Sequence, residues 1–156
     1  MPNLYSSDFL YRTAKEYFRI GTIAAGHFIK NFFNDEYSHA KIQAPAVNIS
    51  FALELTLKDI LLHERGNTPK GHDFIKLYQL ISDEAKEKIA DYFKENLAGR
   101  DFGLISFIKK EGGDETNNHD YNTIEEVLKM HQDAFIDWRY AHEFPMKKTT
   151  TLDFNF

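Results

Sequence analysis

The sequence predicts an all-α protein: a bundle of four to five up-and-down helices with a short extended C-terminal tail. Three observations predict it. Apolar residues recur at helical spacing over several long segments. Prolines fall at the ends of those segments or between them rather than inside them. No run of strands appears, so the segments bury their apolar faces against one another.

The first helix is expected from about Ser7 to Asn34, with Ser7 or Asp8 as cap and an apolar stripe of Phe9, Leu10, Tyr17, Ile20, Ala24, Phe28 and Phe32. Gly21 and Gly26 weaken it locally or allow a close crossing. Residues 34–43 read as a polar connection, and a second helix is expected from about Ala46 to Glu64. The run Arg65-Gly66-Asn67-Thr68-Pro69-Lys70-Gly71 breaks it. A short helix from His72 to Ile81 follows. Ser82-Asp83-Glu84-Ala85 then caps a helix to about Leu97, with acidic residues in its first turn. Residues 99–103 form a turn, 104–110 a short helix at best, and 111–122 a glycine- and asparagine-rich connection. The last helix is expected from Thr123 to Glu143, with Ile124, Val127, Leu128, Ala134, Phe135 and Trp138 as its stripe and His131 on the same apolar face. Pro45, Pro69 and Pro145 belong at helix ends or in loops, because proline costs about 3 kcal/mol inside a helix. From Thr151 to Phe156 the chain alternates with period two, like an extended strand.

Composition bounds the rest. A chain of 156 residues with no repeat or low-complexity linker reads as one domain, with its core over about 7–144 and a tail over 145–156. Phe and Tyr number 14 and 8, enough aromatic area for a compact core. The absence of cysteine excludes disulfides, iron–sulfur clusters, thiolate zinc sites and cysteine nucleophiles. Together with a start, Met1-Pro2-Asn3, that has no signal-peptide pattern and no apolar run of about 18 residues, it predicts a cytoplasmic protein without a membrane span. A net charge of −5 argues against a free-standing, sequence-independent nucleic-acid binder.

Chemistry concentrates in three places. Glu54, Lys58, Leu61 and Arg65 stand at i, i+4, i+7 and i+11, sharing one helix face with Val47, Ser50 and Phe51. Glu54 before Lys58 is the favourable order for an ion pair. The strip either faces a cleft or is a paired, snorkelling surface. His72 and Asp73 follow the Pro-Lys-Gly bend; His72 serves either as a proton carrier or phosphate ligand, or as a helix cap or cross-bundle hydrogen-bonding group. In Trp138-Arg139-Tyr140-Ala141-His142-Glu143, Arg139 either holds a phosphate or carboxylate through its planar fork or forms a salt bridge to Glu54 or Glu143. No zinc-protease, calcium-loop, P-loop, dinucleotide or nucleophile-elbow motif is present. No metal or cofactor is expected.

In order, these pieces resemble the HEPN superfamily. The segment from Ser50 to Leu62 is similar to its A-x-E-x-x-L-K-x-x-L helix. Pro69 to Leu77 is similar to its P-x-x-H-D-L-x-x-L turn and helix, and Trp138-Arg139-Tyr140 to its C-terminal R-Y element. The similar part covers about residues 46–81 and 135–143. The resemblance implies a dimerising helical bundle. It further implies either a metal-independent endoribonuclease, or a nuclease-derived component, of a toxin–antitoxin or phage-defence system. The alternative is a non-catalytic module that binds a nucleotide or a partner such as a cognate antitoxin or nucleotidyltransferase subunit. Family nucleases carry an arginine and a histidine four to six residues apart. Arg65 and His72 are separated by six residues, with Gly66 where a polar residue usually follows the arginine and Pro69 between them. On the nuclease reading, Arg65 neutralises the scissile phosphate and His72 moves a proton at the 2′-hydroxyl or leaving oxygen. Glu54, Lys58, Arg139 and Tyr140 then line the substrate site, in one pocket with His72.

Overall fold

The structure, a computed structural model, describes residues 7–31, 43–96 and 123–131. Among them are five helices and no strand: α1 (Ser7–Asn31), α2 (Gln43–Arg65), α3 (Phe74–Leu80), α4 (Asp83–Asn96) and α5 (Ile124–Met130). The expected short helix over 104–110, the rest of the last helix and the tail lie outside the described residues. None of the described helices is long and apolar enough to cross a membrane.

α1 packs along α2. Several of the residues that make this contact are small. Ala14, Gly21 and Ala25 are buried, together with Leu10 and Phe28. A Cβ placed on Gly21 would lie 2.6 Å from Ile49 Cγ1 and 3.2 Å from its backbone nitrogen, so glycine is what lets the two helices cross so closely. At Gly26 the same Cβ would meet nothing within 4 Å. The expected stripe is corrected accordingly: Phe9 and Ile20 are 52% and 47% exposed. Close approach selects glycine at the crossing point, while Leu10, Tyr17 and Phe28 of the stripe do pack inward. Ser7 and Asp8 lie within the helix rather than capping it, and Asp8 bonds Arg12 at 2.8 Å.

α2 begins three residues before the expected start. Pro45 therefore sits in its first turn, where an amide has no intrahelical acceptor to lose. Its end matches the breaker: Gly66 takes φ 71°, and its N–H donates to the Leu62 carbonyl at 2.8 Å. Asp73 caps α3 by accepting from Lys76 N–H at 3.0 Å. That hydrogen bond is the main reason its carboxyl is held below the usual range. The expected start at His72 thus moves to Phe74, and Asp73 rather than His72 is the cap. Ser82 caps α4, accepting from Ala85 N–H at 3.3 Å. Thr123 and Glu126 form a capping box at the start of α5.

Two apolar clusters flank α2. Leu10, Ala14 and Leu55 form one with Tyr17, Phe51 and Leu62; the rings of Tyr17 and Phe51 meet edge to face at 4.7 Å. Leu57, Leu61, Phe74, Leu77, Tyr78, Ile81 and Leu128 form the other, joining α2, α3 and α5.

The direction of α3 departs from an up-and-down order. His72, just before α3, is held at Glu54, whereas Leu80 and Ser82, at its far end, are held at Arg65 and Glu64. Residues 66–73 therefore run back along α2, and α3 advances in the same direction as α2. A seven-residue helix, about 10 Å long, spans most of the distance between the two anchor points.

Candidate functional site

The core of the site is the Glu54 carboxylate. Its residue is 1% exposed, among the most deeply buried of the described residues. Lys58 Nζ lies 2.7 Å from Oε1, and His72 Nδ1 lies 2.8 Å from Oε2. The ion pair that the i, i+4 spacing predicts is thus present, and the second oxygen is taken by a histidine eighteen residues on. Burying a carboxylate is costly unless its charge and lone pairs are matched. Here one cation and one ring nitrogen supply the match. The Lys58 side chain is 15% exposed and that of His72 is 49% exposed, so the cluster reaches from the interior to the surface.

Arg65 is elsewhere. Its guanidinium donates to the Leu80 carbonyl, one of the acceptors left open at the C-terminal end of α3. It stands eleven positions beyond Glu54, about 16 Å along the α2 axis. Arg65 and His72 are thus fixed at opposite ends of α3. Of the expected pocket residues, Glu54, Lys58 and His72 come together, Arg65 does not join them, and Arg139 and Tyr140 lie outside the described residues.

Glu64 carries a role that spacing did not reveal. Its carboxylate accepts from Ser82 Oγ at 2.6 Å and from Ser82 N–H at 2.9 Å, and the hydroxyl contact is the larger cause of its lowered pKa. The available signal was an acidic residue at the end of one helix and a serine cap at the start of another. Asp59 is a second missed residue: it is buried on α2, with His63 Nδ1 3.6 Å from its Oδ1. On the α3–α5 side, burial and then the nearby Glu125 carboxylate push the Tyr78 phenol up to about 12. Burial lowers His131 to about 4, in keeping with its expected place on the apolar face.

A shallow, open groove runs along α1, lined by Phe9, Thr13, Tyr17 and Ile20 with Asp8, Arg12 and Glu16; Glu54, Lys58 and His72 do not line it. Among the described residues no three metal-ligating side chains converge. The described fold and site define a class: an all-α arrangement whose second helix carries a buried carboxylate, Glu54, held by Lys58 and by the half-exposed His72. No protein-family model, curated protein or solved structure matches the chain.

Proposed function

We propose that this chain is a HEPN-like helical module that acts in the cytoplasm by binding a partner protein, without cutting RNA. The observation that carries the reading is the separation of Arg65 from His72. Charge stabilisation and proton transfer at one phosphate require both groups within hydrogen-bond reach of the same substrate. Arg65 is instead spent on the Leu80 carbonyl, and the Lys58 charge is matched by Glu54. In this reading the Glu54–Lys58–His72 junction is structural: it pins the start of α3. The binding surface is then sought on helices whose apolar side chains face outward, and α1 has the most of these among the described helices.

One observation favours a second reading, the metal-independent ribonuclease. A buried carboxylate that holds one imidazole nitrogen of a half-exposed histidine orients that ring as a general acid or base needs. Incubating the purified protein with RNA in chelator separates the two. No cleavage above a mock preparation is expected. Cleavage that disappears in His72→Ala, with helical content retained, overturns the binding reading in favour of the nuclease.

A further inference from the structure

α2 carries two acid–base pairs at the same i, i+4 spacing, and they are matched very differently. Glu54 meets Lys58 at 2.7 Å and His72 at 2.8 Å. Asp59 faces His63, with Oδ1 and Nδ1 3.6 Å apart. That is too long for a hydrogen bond, and Asp59 Oδ1 is buried with no hydrogen-bond partner. The residue as a whole is 9% exposed. It stands one turn beyond Leu55 and three residues before Leu62, both of which belong to the apolar packing between α2 and α1. A carboxylate oxygen in such a place is costly unless something matches it. The His63 side chain is 61% exposed, so the pair is reached from solvent at its imidazole end.

We infer that Asp59 and His63 form a two-ligand chelate for a divalent transition-metal cation of the zinc kind. The separation of the two donor atoms carries the inference. Ligands about 2.0–2.2 Å from a tetrahedral zinc stand about 3.4 Å from each other. The 3.6 Å between Oδ1 and Nδ1 is close to that distance. A cation also supplies what the carboxylate lacks, a positive charge at its unmatched oxygen. The donors select the cation: imidazole suits zinc, nickel and copper, whereas magnesium and calcium take oxygen ligands. His63 Nδ1 also lies 3.0 Å from the Asp59 carbonyl oxygen. Binding exchanges that contact for the metal and requires the tautomer with its proton on Nε2. The carbonyl still accepts the helical N–H of residue 63, so no backbone bond is lost. Both ligands belong to α2, and the cation therefore closes over one turn without moving the chain. Two protein ligands leave the remaining positions to water, which sets a modest affinity on the order of 10 μM. The site lies on a different face of α2 from Glu54, and it neither needs nor supports the partner-binding reading.

The test titrates the full chain with zinc chloride in a calorimeter, after dialysis against a chelator and then against buffer alone. A saturable event on the order of 10 μM is expected. His63→Gln and Asp59→Asn are each expected to weaken it about tenfold or more, since each removes one of two ligands. His27→Gln, on α1, is expected to leave it unchanged. Circular dichroism checks the helix content of every variant. If Asp59→Asn loses helix, the exposed His63→Gln decides alone. Thermal melts give a second readout: zinc at about 100 μM is expected to raise the midpoint of the native chain and not that of His63→Gln. Magnesium at about 5 mM is expected not to compete. The absence of saturable binding up to about 1 mM zinc overturns the inference. So does binding that His63→Gln leaves unchanged, which marks adventitious capture by other histidines, and so does displacement by magnesium, which marks a site built from oxygen alone.

Discussion

The two sides of α2 are held by different physics. Toward α1 the contact is long, apolar and close, set by Ala14, Gly21 and Ala25 with Leu10 and Leu55. Toward α3 and α5 there is a larger apolar cluster around Leu61 and Phe74, with polar ties at both ends of α3: His72 to Glu54 at one, Ser82 and Leu80 to Glu64 and Arg65 at the other. The first side depends on shape and tolerates no added volume at its crossing point. The second depends on matched charge and is damaged most by removing one member of a set. Apolar burial draws α3 to α2, while the directional ties decide which end goes where.

The largest effect should come from breaking the matched charge. Glu54→Leu leaves Lys58 nearly buried without the carboxylate that matches its charge and removes the tie from His72 to α2, and it is expected to cost about 3 kcal/mol in urea unfolding. Adding Lys58→Met should recover most of that loss, because removing both charges avoids the unpaired one. If the double variant is no more stable than Glu54→Leu, the loss is one of packing rather than of charge.

Acid should strain the same side next. Burial holds His131 at about 4 against 6.5 for an unburied histidine. The unfolded chain thus takes up a proton that the folded chain refuses. Stability from this group is full above pH 6.5 and falls as pH drops from there toward 4, by about 3 kcal/mol over that range and about 2 kcal/mol between pH 7 and pH 5. Urea midpoints at pH 7 and pH 5 measure it, and His131→Leu should flatten the slope. An unchanged slope would assign acid sensitivity to the carboxylates instead.

The smallest effects are a matched pair on the α1 side. Gly21→Ala gains helix propensity but drives a methyl into Ile49, and is expected to lose about 1–2 kcal/mol net. Gly26→Ala meets open space and should gain about 0.5–1 kcal/mol. Thermal melts of the two, run together, show whether α1 and α2 really cross at Gly21; equal shifts would place the crossing elsewhere.

What could be read from the sequence follows the range of the interaction responsible. The Ser82 cap, the start at Thr123, the stop after Arg65 and the Glu54–Lys58 pair all depend on neighbours within four residues, and all are present. The inward side of α1 was legible only in part: Leu10, Tyr17 and Phe28 of the expected stripe do pack inward, but Ala14 and Ala25 were not picked out and Phe9 and Ile20 are exposed. Phe9 and Ile20 fit a helical period as well as Ala14 and Ala25 do, and only the shape of α2 decides between them. The direction of α3 was equally hidden, because local periodicity is the same for a helix running either way. His72 was singled out, yet its partner, eighteen residues upstream, was beyond any spacing rule, as was the bond between Glu64 and Ser82. The separation of Arg65 from His72 follows from those two ties. Six intervening residues look compatible with a shared site only while the path of the chain is unknown.

The two ties at the ends of α3 also bear on how the chain assembles. Each closes a ring of eighteen residues, and the rings overlap through 64–72. Closing the first loop costs about 2.5 kcal/mol of chain entropy. The second costs far less, because α3 is already laid alongside α2 by then. The pair of contacts therefore forms and is lost together, and the stretch from Glu54 to Ser82 acts as one cooperative, sequence-local unit able to organise before distant parts of the chain arrive.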